Sequence, residues 1–180
     1  MSDVDLGLDV HHTSLSVADL DAQSTWYQHA LGLHEIVEEY RLDEPAVRTV
    51  VLQSRSGVRL ELIERAGATR SRAHTDPLDA ASTLGFGHWA VSVRDLDTAF
   101  AAIVAAGGRE VWPPADAVQP GARFAYVKDP EDNLIELIQP PARSAAPMPS
   151  TGRSASAPDP RPSSPAAPPA AGPAPPAAAR

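Results

Sequence analysis

Two histidine–glutamate pairs occur in the chain at nearly the same spacing. His12 is followed 49 residues later by Glu61, and His88 is followed 48 residues later by Glu136. Imidazole and carboxylate ligands without sulfur suit Zn²⁺, Ni²⁺, Co²⁺, Mn²⁺ or Fe²⁺, and affinity order alone does not choose among these ions. Two His and two Glu at matching places are the ingredients of one metal centre. The spacing therefore predicts a site for one divalent metal ion.

The sequence around each pair repeats as well. His12 opens H-T-S-L-S-V-A-D-L-D, and His88 opens H-W-A-V-S-V-R-D-L-D. Glu61 lies in R-L-E-L-I-E, and Glu136 lies in L-I-E-L-I-Q. The matching order of four short patterns indicates an internal duplication, which has to be recognised before a fold is predicted.

Periodicity predicts the same element order in both halves. In the first half, alternation over residues 8–18 indicates a strand, and helical spacing from Leu20 to Leu31 indicates a helix that ends at Gly32. Three further strands are predicted in this half, at 35–42, 47–53 and 58–64. The second half is predicted to contain a strand at 87–93, a helix at 95–106, and strands near 109–112, 123–128 and 134–139.

Each half is thus a βαβββ unit, and one such unit has a sheet face that it does not bury alone. The predicted fold class is α+β, with two tandem βαβββ units forming a cupped mixed sheet and the helices outside. The predicted domain spans residues 6–140, with units at 8–64 and 85–140 and a linker at 65–84.

The C-terminal part of the chain has a different composition. Thirteen of the 19 prolines lie from Pro140 onward, among mostly Ala and Ser. Proline at this density blocks both helices and sheet ladders, and few large apolar side chains remain to be buried. Residues 141–180 are therefore predicted to be a disordered tail rich in proline and alanine.

Strand alternation assigns the candidate ligands to one face of the sheet. Ser14 and Ser16 share the face of His12, whereas the opposite face of this strand and its equivalents is uniformly apolar and is expected to lie under the helices. The four ligands are therefore expected on the concave side. Small residues beside the histidines leave room there for a ligand.

Charge and composition exclude several classes of function. The chain carries a formal charge of −8 and the tail +3, from four Arg against one Asp, which leaves −11 on the folded part. Such an acidic domain lacks the electrostatic footprint of a nucleic-acid-binding protein. The absence of cysteine excludes disulfides, thiol nucleophiles and Cys-based zinc sites. No membrane span or signal-peptide pattern is found, so a cytoplasmic protein is expected.

The motifs resemble those of a known superfamily. The patterns H-T-S-L-S-V-A-D-L with W-Y-x-x-x-L-G-L, G-F-G-H-W-A-V-S-V, and K-D-P-E-D-N-L-I-E-L-I are similar to those of the vicinal oxygen chelate superfamily. This superfamily includes glyoxalase I, methylmalonyl-CoA epimerase, extradiol dioxygenases and bleomycin-resistance proteins. The resemblance covers residues 8–140 and implies paired βαβββ units that cup a divalent metal ion. It also implies the four metal-ligand positions, which fall at His12, Glu61, His88 and Glu136.

The same resemblance separates the subclasses. Members that only bind a drug generally lack these ligands, and dioxygenases are expected to use two His and one Glu, so the fourth ligand at Glu61 disfavours both classes. The full set is typical of glyoxalase I and is close to that of the epimerases. The arginine with which glyoxalase I helps to hold the glutathione carboxylates would fall at Ser16.

The four ligands lead to a mechanistic hypothesis. The metal ion would polarise a carbonyl and stabilise the enolate that forms when the neighbouring proton is removed. Glu61 and Glu136 come from different halves, so one is expected to remove the proton and the other to return one to the opposite face. The main prediction is therefore a metal-dependent epimerase acting beside a ketone, such as a sugar-derived cyclic ketone of the 2-epi-5-epi-valiolone type in natural-product biosynthesis.

Two alternatives stay open, and the substrate contacts are predicted with them. The first alternative is a lactoylglutathione lyase of the glyoxalase I type, and the second is an extradiol-type dioxygenase or a small-molecule-binding resistance protein. The residues predicted to contact a small-molecule substrate are Ser14, Ser16, Arg59 and Arg123. Superfamily members close the cup within one chain or across two, and a homodimer is expected here.

Overall fold

A computed structural model describes residues 5–70 and 72–142 of the 180-residue chain. The first half contains β1 (Thr13–Val17), α1 (Leu20–Leu31), β2 (Glu35–Leu42), β3 (Val47–Gln53) and β4 (Arg59–Arg65). After a short helix α2 (Pro77–Ala81), the second half contains β5 (Trp89–Ser92), α3 (Leu96–Ala105), β6 (Arg109–Asp116), β7 (Arg123–Lys128) and β8 (Leu134–Gln139). Two βαβββ units are confirmed, and the predicted disordered tail lies outside the described residues apart from its first two positions.

The two sheets have the same topology, with strand orders β1-β4-β3-β2 and β5-β8-β7-β6. The first strand of each half pairs in parallel with the last, and the remaining pairs are antiparallel. Ser14 lies opposite Glu61 in the first sheet, and Ala90 lies opposite Glu136 in the second. This register brings the start of β1 or β5 beside the strand that carries the candidate glutamate.

Three differences from the predicted elements have local causes. β1 and β5 are shorter than predicted because pairing with β4 and β8 begins only at Thr13 and Trp89. Helix α2 interrupts the predicted linker, where Asp76 caps the helix and Pro77 occupies its first turn. β6 continues past the predicted end through two prolines, which an edge strand with register shifts tolerates.

The two main helices begin with equivalent contacts. The carboxylate of Asp19 accepts a hydrogen bond of 2.9 Å from the backbone N–H of Ala22, and the carboxylate of Asp95 accepts one of 2.9 Å from the N–H of Thr98. These are N-caps, which satisfy an N–H group that the helix itself leaves unpaired. The repeated A-D-L-D and R-D-L-D patterns thus encode the start of each helix.

A second matched contact joins each helix to the last strand of its own half. The N–H of Leu20 donates to Glu64 Oε2 at 2.8 Å, and the N–H of Leu96 donates to Gln139 Oε1 at 2.8 Å. Glu64 and Gln139 each follow a candidate ligand by three residues. The strand that carries the ligand is therefore tied directly to the helix behind it.

The halves share one apolar core and meet at a buried turn of the second half. Asp129 is fully buried, and its carboxylate accepts hydrogen bonds from the hydroxyl of Tyr27 at 2.8 Å and the side-chain amide of Asn133 at 2.7 Å. Glu131 accepts the N–H of Ala18 at 2.8 Å. The same turn contains Asp132 at φ 72°, a left-handed conformation that Asp tolerates better than most residues.

In the described part of the chain, no helix is long and apolar enough to cross a membrane.

Candidate functional site

The first His–Glu pair lies where β1 begins. His12 Nε2 is 3.4 Å from Glu61 Oε2. His12 Nδ1 is 2.8 Å from Nδ1 of His11, whose Nε2 is 3.4 Å from the Arg59 guanidinium. The hydroxyl of Tyr40 on β2 lies 3.4 Å from Glu61 Oε1. This pair, the first dyad, is therefore surrounded by polar groups at mostly long distances.

The second His–Glu pair, the second dyad, lies where β5 begins. His88 Nε2 is 3.1 Å from Glu136 Oε2. Neighbouring ligands of one ion, each about 2.1 Å from the metal, lie about 3 Å apart. The His–Glu separations of both dyads are therefore close to those of two ligands of one metal ion.

The second dyad carries a feature that sequence reasoning missed. Tyr126 on β7 lies directly opposite Glu136 on β8. Its ring is perpendicular to the ring of His88, with centroids 5.3 Å apart. Burial, followed by hydrogen bonding to Glu136 and the charge of that carboxylate, raises the pKa of Tyr126 well above its usual value. The phenol of Tyr126 therefore stays protonated beside the second dyad.

The dyads remain separate within one chain. No group of three or more His, Asp or Glu side chains in the described ranges 5–70 and 72–142 converges closely enough to hold a metal ion. His12 and His88 both line a cleft of about 570 Å³ between the halves, but neither Glu61 nor Glu136 lines it. One chain thus presents two half-sites of two donors each.

The predicted substrate contacts have different surroundings. Ser14 lines the cleft, and Ser16 is exposed two residues further along β1. Arg59 donates from Nε to the side-chain carbonyl of Gln53 at 2.6 Å and keeps a second contact with His11 beside the first dyad. Ser14 and Arg59 therefore lie beside the first dyad, whereas Ser16 lies opposite Ile63, two residues beyond Glu61.

Arg123 requires a correction. On β7 it alternates with Tyr126 and therefore faces the side of Ala125, which is fully buried in the core. Its guanidinium binds Asp97 at the start of α3, with distances of 2.6 and 3.0 Å. Arg123 therefore supports the helix behind the sheet, and its predicted role as a substrate contact is not supported by this geometry.

The chain is similar to known proteins in both sequence and fold. The sequence profile described as "Glyoxalase/Bleomycin resistance protein/Dioxygenase superfamily" matches residues 9–137. A protein of Vibrio parahaemolyticus named "Probable lactoylglutathione lyase" is 34% identical over 137 residues, which are 74% of this chain and 92% of the relative.

Solved structures agree with this assignment at the level of the fold. A glyoxalase family protein of Bacillus cereus superposes with a TM-score of 0.61 at 19% identity, over 79% of this chain and 99% of that one. Glyoxalase I of Zea mays superposes with a TM-score of 0.59 at 20% identity over 73% of this chain, which spans only 44% of the maize protein. The chain therefore belongs to the glyoxalase/bleomycin resistance protein/dioxygenase superfamily.

Proposed function

We propose that this protein is a metal-dependent enzyme that moves a proton on the carbon next to a carbonyl, with a reaction of the lactoylglutathione lyase type. The observation that carries the proposal is the pair of His–Glu dyads at matched positions in the two halves. The named relative supports the lyase reaction, since it aligns over 92% of its length.

The donor set fits a divalent ion, and proteins of this superfamily generally use one. Each dyad offers one imidazole nitrogen and one carboxylate oxygen at the separation expected of neighbouring ligands. Zn²⁺, Ni²⁺, Co²⁺, Mn²⁺ and Fe²⁺ all accept such ligands. When bound, the ion would supply positive charge that polarises the substrate carbonyl and acidifies the neighbouring C–H group.

The proton transfer itself falls to the two glutamates. A carboxylate within reach of the substrate C–H accepts the proton and returns it. In the lyase reaction, the proton leaves the carbon that bears sulfur in the hemithioacetal of a 2-oxoaldehyde and is returned to the adjacent carbon, so that a thioester forms. Glu61 and Glu136 belong to different halves and would act from opposite sides of the substrate.

We propose further that a homodimer completes the site, with the first dyad of one copy meeting the second dyad of its partner. The separation of the dyads within one chain supports this arrangement. Large apolar side chains also stand fully in solvent next to the second dyad, since Leu84 is 101% and Phe86 108% exposed. Apolar groups that a single copy leaves uncovered mark a surface for association.

Epimerisation is the second candidate. Ser16 occupies the position at which the resemblance places the glutathione-binding arginine, and it is exposed on the site face of β1. Two carboxylates facing the same carbon would invert it, since one removes a proton and the other delivers one to the opposite face. A small hydroxylated ketone, such as a cyclic ketone of the 2-epi-5-epi-valiolone type, is the corresponding substrate.

Proton exchange in D₂O tests the proposal and separates its two candidate reactions. The metal-loaded protein is incubated with the hemithioacetal of methylglyoxal and glutathione, and separately with a polyhydroxylated cyclic ketone. Conversion of the hemithioacetal to a thioester supports the lyase, and deuterium at the α-carbon of the ketone supports the epimerase. If neither substrate is converted or labelled, and none of a wider set of ketones takes up deuterium, the proton-transfer proposal is wrong. The variants Glu61→Gln and Glu136→Gln serve as controls for background exchange.

A further inference from the structure

The cleft between the halves is lined by both apolar and basic side chains. Leu60, Leu134 and Ile135 contribute apolar surface, and the linker between the halves contributes Arg70 and Arg72. The cleft has a volume of about 570 Å³. Sites for small molecules usually enclose roughly 300–1,000 Å³ and combine apolar walls with a few charged groups. In size and composition, the cleft is therefore suited to a small organic ligand.

The charges that line the cleft are mostly positive. Asp132 is the only acidic side chain among the described residues that line it, and its carboxylate already pairs with Arg109 and, at 3.8 Å, with Lys128. Arg70 and Arg72 add two positive charges, whereas the chain as a whole carries a formal charge of −8. A cleft that concentrates one sign of charge attracts ligands of the opposite sign. An anionic ligand is therefore favoured.

Arg70 is the arginine with more capacity to bind such a ligand. Both of its terminal nitrogens donate to one neutral acceptor, Asn133 Oδ1, at 3.2 and 3.1 Å. None of the ion pairs among residues 5–70 and 72–142 involves Arg70. A guanidinium has five N–H donors, and it binds a carboxylate through two of them. Arg70 therefore keeps donors and an unpaired positive charge beside the cleft.

Arg72 is held beside the cleft by a residue of the short helix α2. Its guanidinium pairs with Asp79, whose carboxylate also accepts the backbone N–H of Thr75 at 2.9 Å. Asp79 itself does not line the cleft. The side chain of Arg72 is therefore oriented by this contact, but its charge is shared with Asp79. Arg72 is accordingly the weaker of the two anion contacts.

We propose that this cleft binds a small organic carboxylate. Arg70 holds the carboxylate group with the help of Arg72, and the apolar body of the ligand lies against Leu60, Leu134 and Ile135. A carboxylate is the expected anion because its two oxygens match two N–H groups of one guanidinium. This site goes beyond the proposed function, since neither glutamate of the two dyads lines the cleft.

Calorimetric titration of the full-length protein tests the proposal with acetate, butyrate, phenylacetate and inorganic phosphate. Phenylacetate is expected to bind most tightly, because it has both the anionic group and the largest apolar body. Its neutral counterpart phenylacetamide is expected to bind at least about tenfold more weakly, since it offers no charge to the arginines. This comparison uses only the wild-type protein, so it does not depend on whether a variant folds.

The variant Arg70→Gln is expected to raise the dissociation constant of phenylacetate about tenfold, with an unchanged thermal melting temperature. Arg41→Gln, at an exposed arginine on β2 outside the cleft, is the matched control and should change it less than about twofold. The proposal is wrong if none of the carboxylates binds, or if phenylacetamide or phosphate binds as tightly as phenylacetate. It is also wrong if Arg70→Gln weakens binding no more than Arg41→Gln does.

Discussion

The first and second halves of the domain differ least where the helices begin and most where the dyads lie. Behind the sheets, α1 and α3 start with an aspartate cap, an arginine–aspartate pair and a link from the last strand, at nearly identical distances. These contacts depend on the backbone geometry of a βαβββ unit, so both copies need them. The scaffold therefore preserves the duplication.

The faces that carry the dyads have diverged. The equivalent positions hold His11 and Gly87, Arg59 and Leu134, and Val51 and Tyr126 in the first and second halves. In the proposed site each half would supply only two of the four ligands, so the two halves need not be alike. The first half-site is thus surrounded by polar side chains, and the second by aromatic ones.

The largest expected effect comes from removing the carboxylates one at a time. Glu61→Gln and Glu136→Gln should each lower the α-proton exchange rate by about 10²- to 10⁴-fold, the usual contribution of a general base. Rates are measured by NMR on metal-saturated protein. If Glu136→Gln keeps full activity with metal still bound, Glu136 is not a base and the reaction uses Glu61 alone.

Loss of the buried contact between the halves should be the next largest effect. Asp129→Ala removes a fully buried carboxylate and leaves the Tyr27 hydroxyl and the Asn133 amide without their acceptor. The free energy of unfolding is expected to fall by about 3 kcal/mol, measured by urea denaturation. Asp43→Ala, at an exposed position in the β2–β3 turn, is the control. A loss below about 1 kcal/mol for Asp129→Ala would mean that the turn does not bind the halves together.

The helix caps test whether the two scaffolds are equivalent in energy. Asp19→Ala and Asp95→Ala each remove one cap, and each is expected to cost about 1 kcal/mol of unfolding free energy. Urea denaturation of the two variants side by side gives the comparison. A difference above about 1 kcal/mol between them would contradict the idea that the halves share their scaffold energetics.

The smallest effect is expected from pH acting on the matched arginine–aspartate pairs. Hydrogen bonding to Arg48 lowers the pKa of Asp21, and hydrogen bonding to Arg123 lowers the pKa of Asp97. A carboxyl whose pKa is lower in the folded state contributes stability above its unfolded pKa, near 4, and loses it as pH falls through the folded pKa. Arg48→Gln and Arg123→Gln should therefore flatten the pH dependence of stability below about pH 4 slightly and equally. Thermal melts at several pH values measure this change for each variant. If the change is markedly larger for one variant, the two arginine–aspartate pairs contribute unequally and the halves differ in their scaffolds as well.

The sequence predicts the fold because the repeat and the periodicities act locally. Alternation and helical spacing were sufficient for the eight strands and for two of the three helices in the described residues. Helix α2 was missed, although Asp76 before Pro77 is a recognisable helix start. Strand ends were less accurate for β1 and β5, since they depend on where β4 and β8 begin to pair.

The candidate site could be predicted only in part, because its contacts depend on pairing between strands. The partnership of Tyr126 with Glu136 follows from the β7–β8 register, which no local pattern specifies. Arg123 was misassigned because β7 is apolar on both faces, and only its contacts with Asp97 show that it faces α3. The assignments of His12, Glu61, His88 and Glu136 as metal ligands stay predictions.

In the proposed dimer, one metal site is assembled from the first dyad of one copy and the second dyad of another. Mixing His12→Ala with His88→Ala protein under conditions of subunit exchange, and measuring tightly bound Zn²⁺ per chain, tests this arrangement. Each variant alone should bind almost none, whereas the mixture should recover about one quarter of the wild-type content, because half of the dimers are mixed and each has one intact site. If the subunits exchange and the mixture binds no more Zn²⁺ than the separate variants, the site does not close across two chains. That result would contradict the proposed dimer.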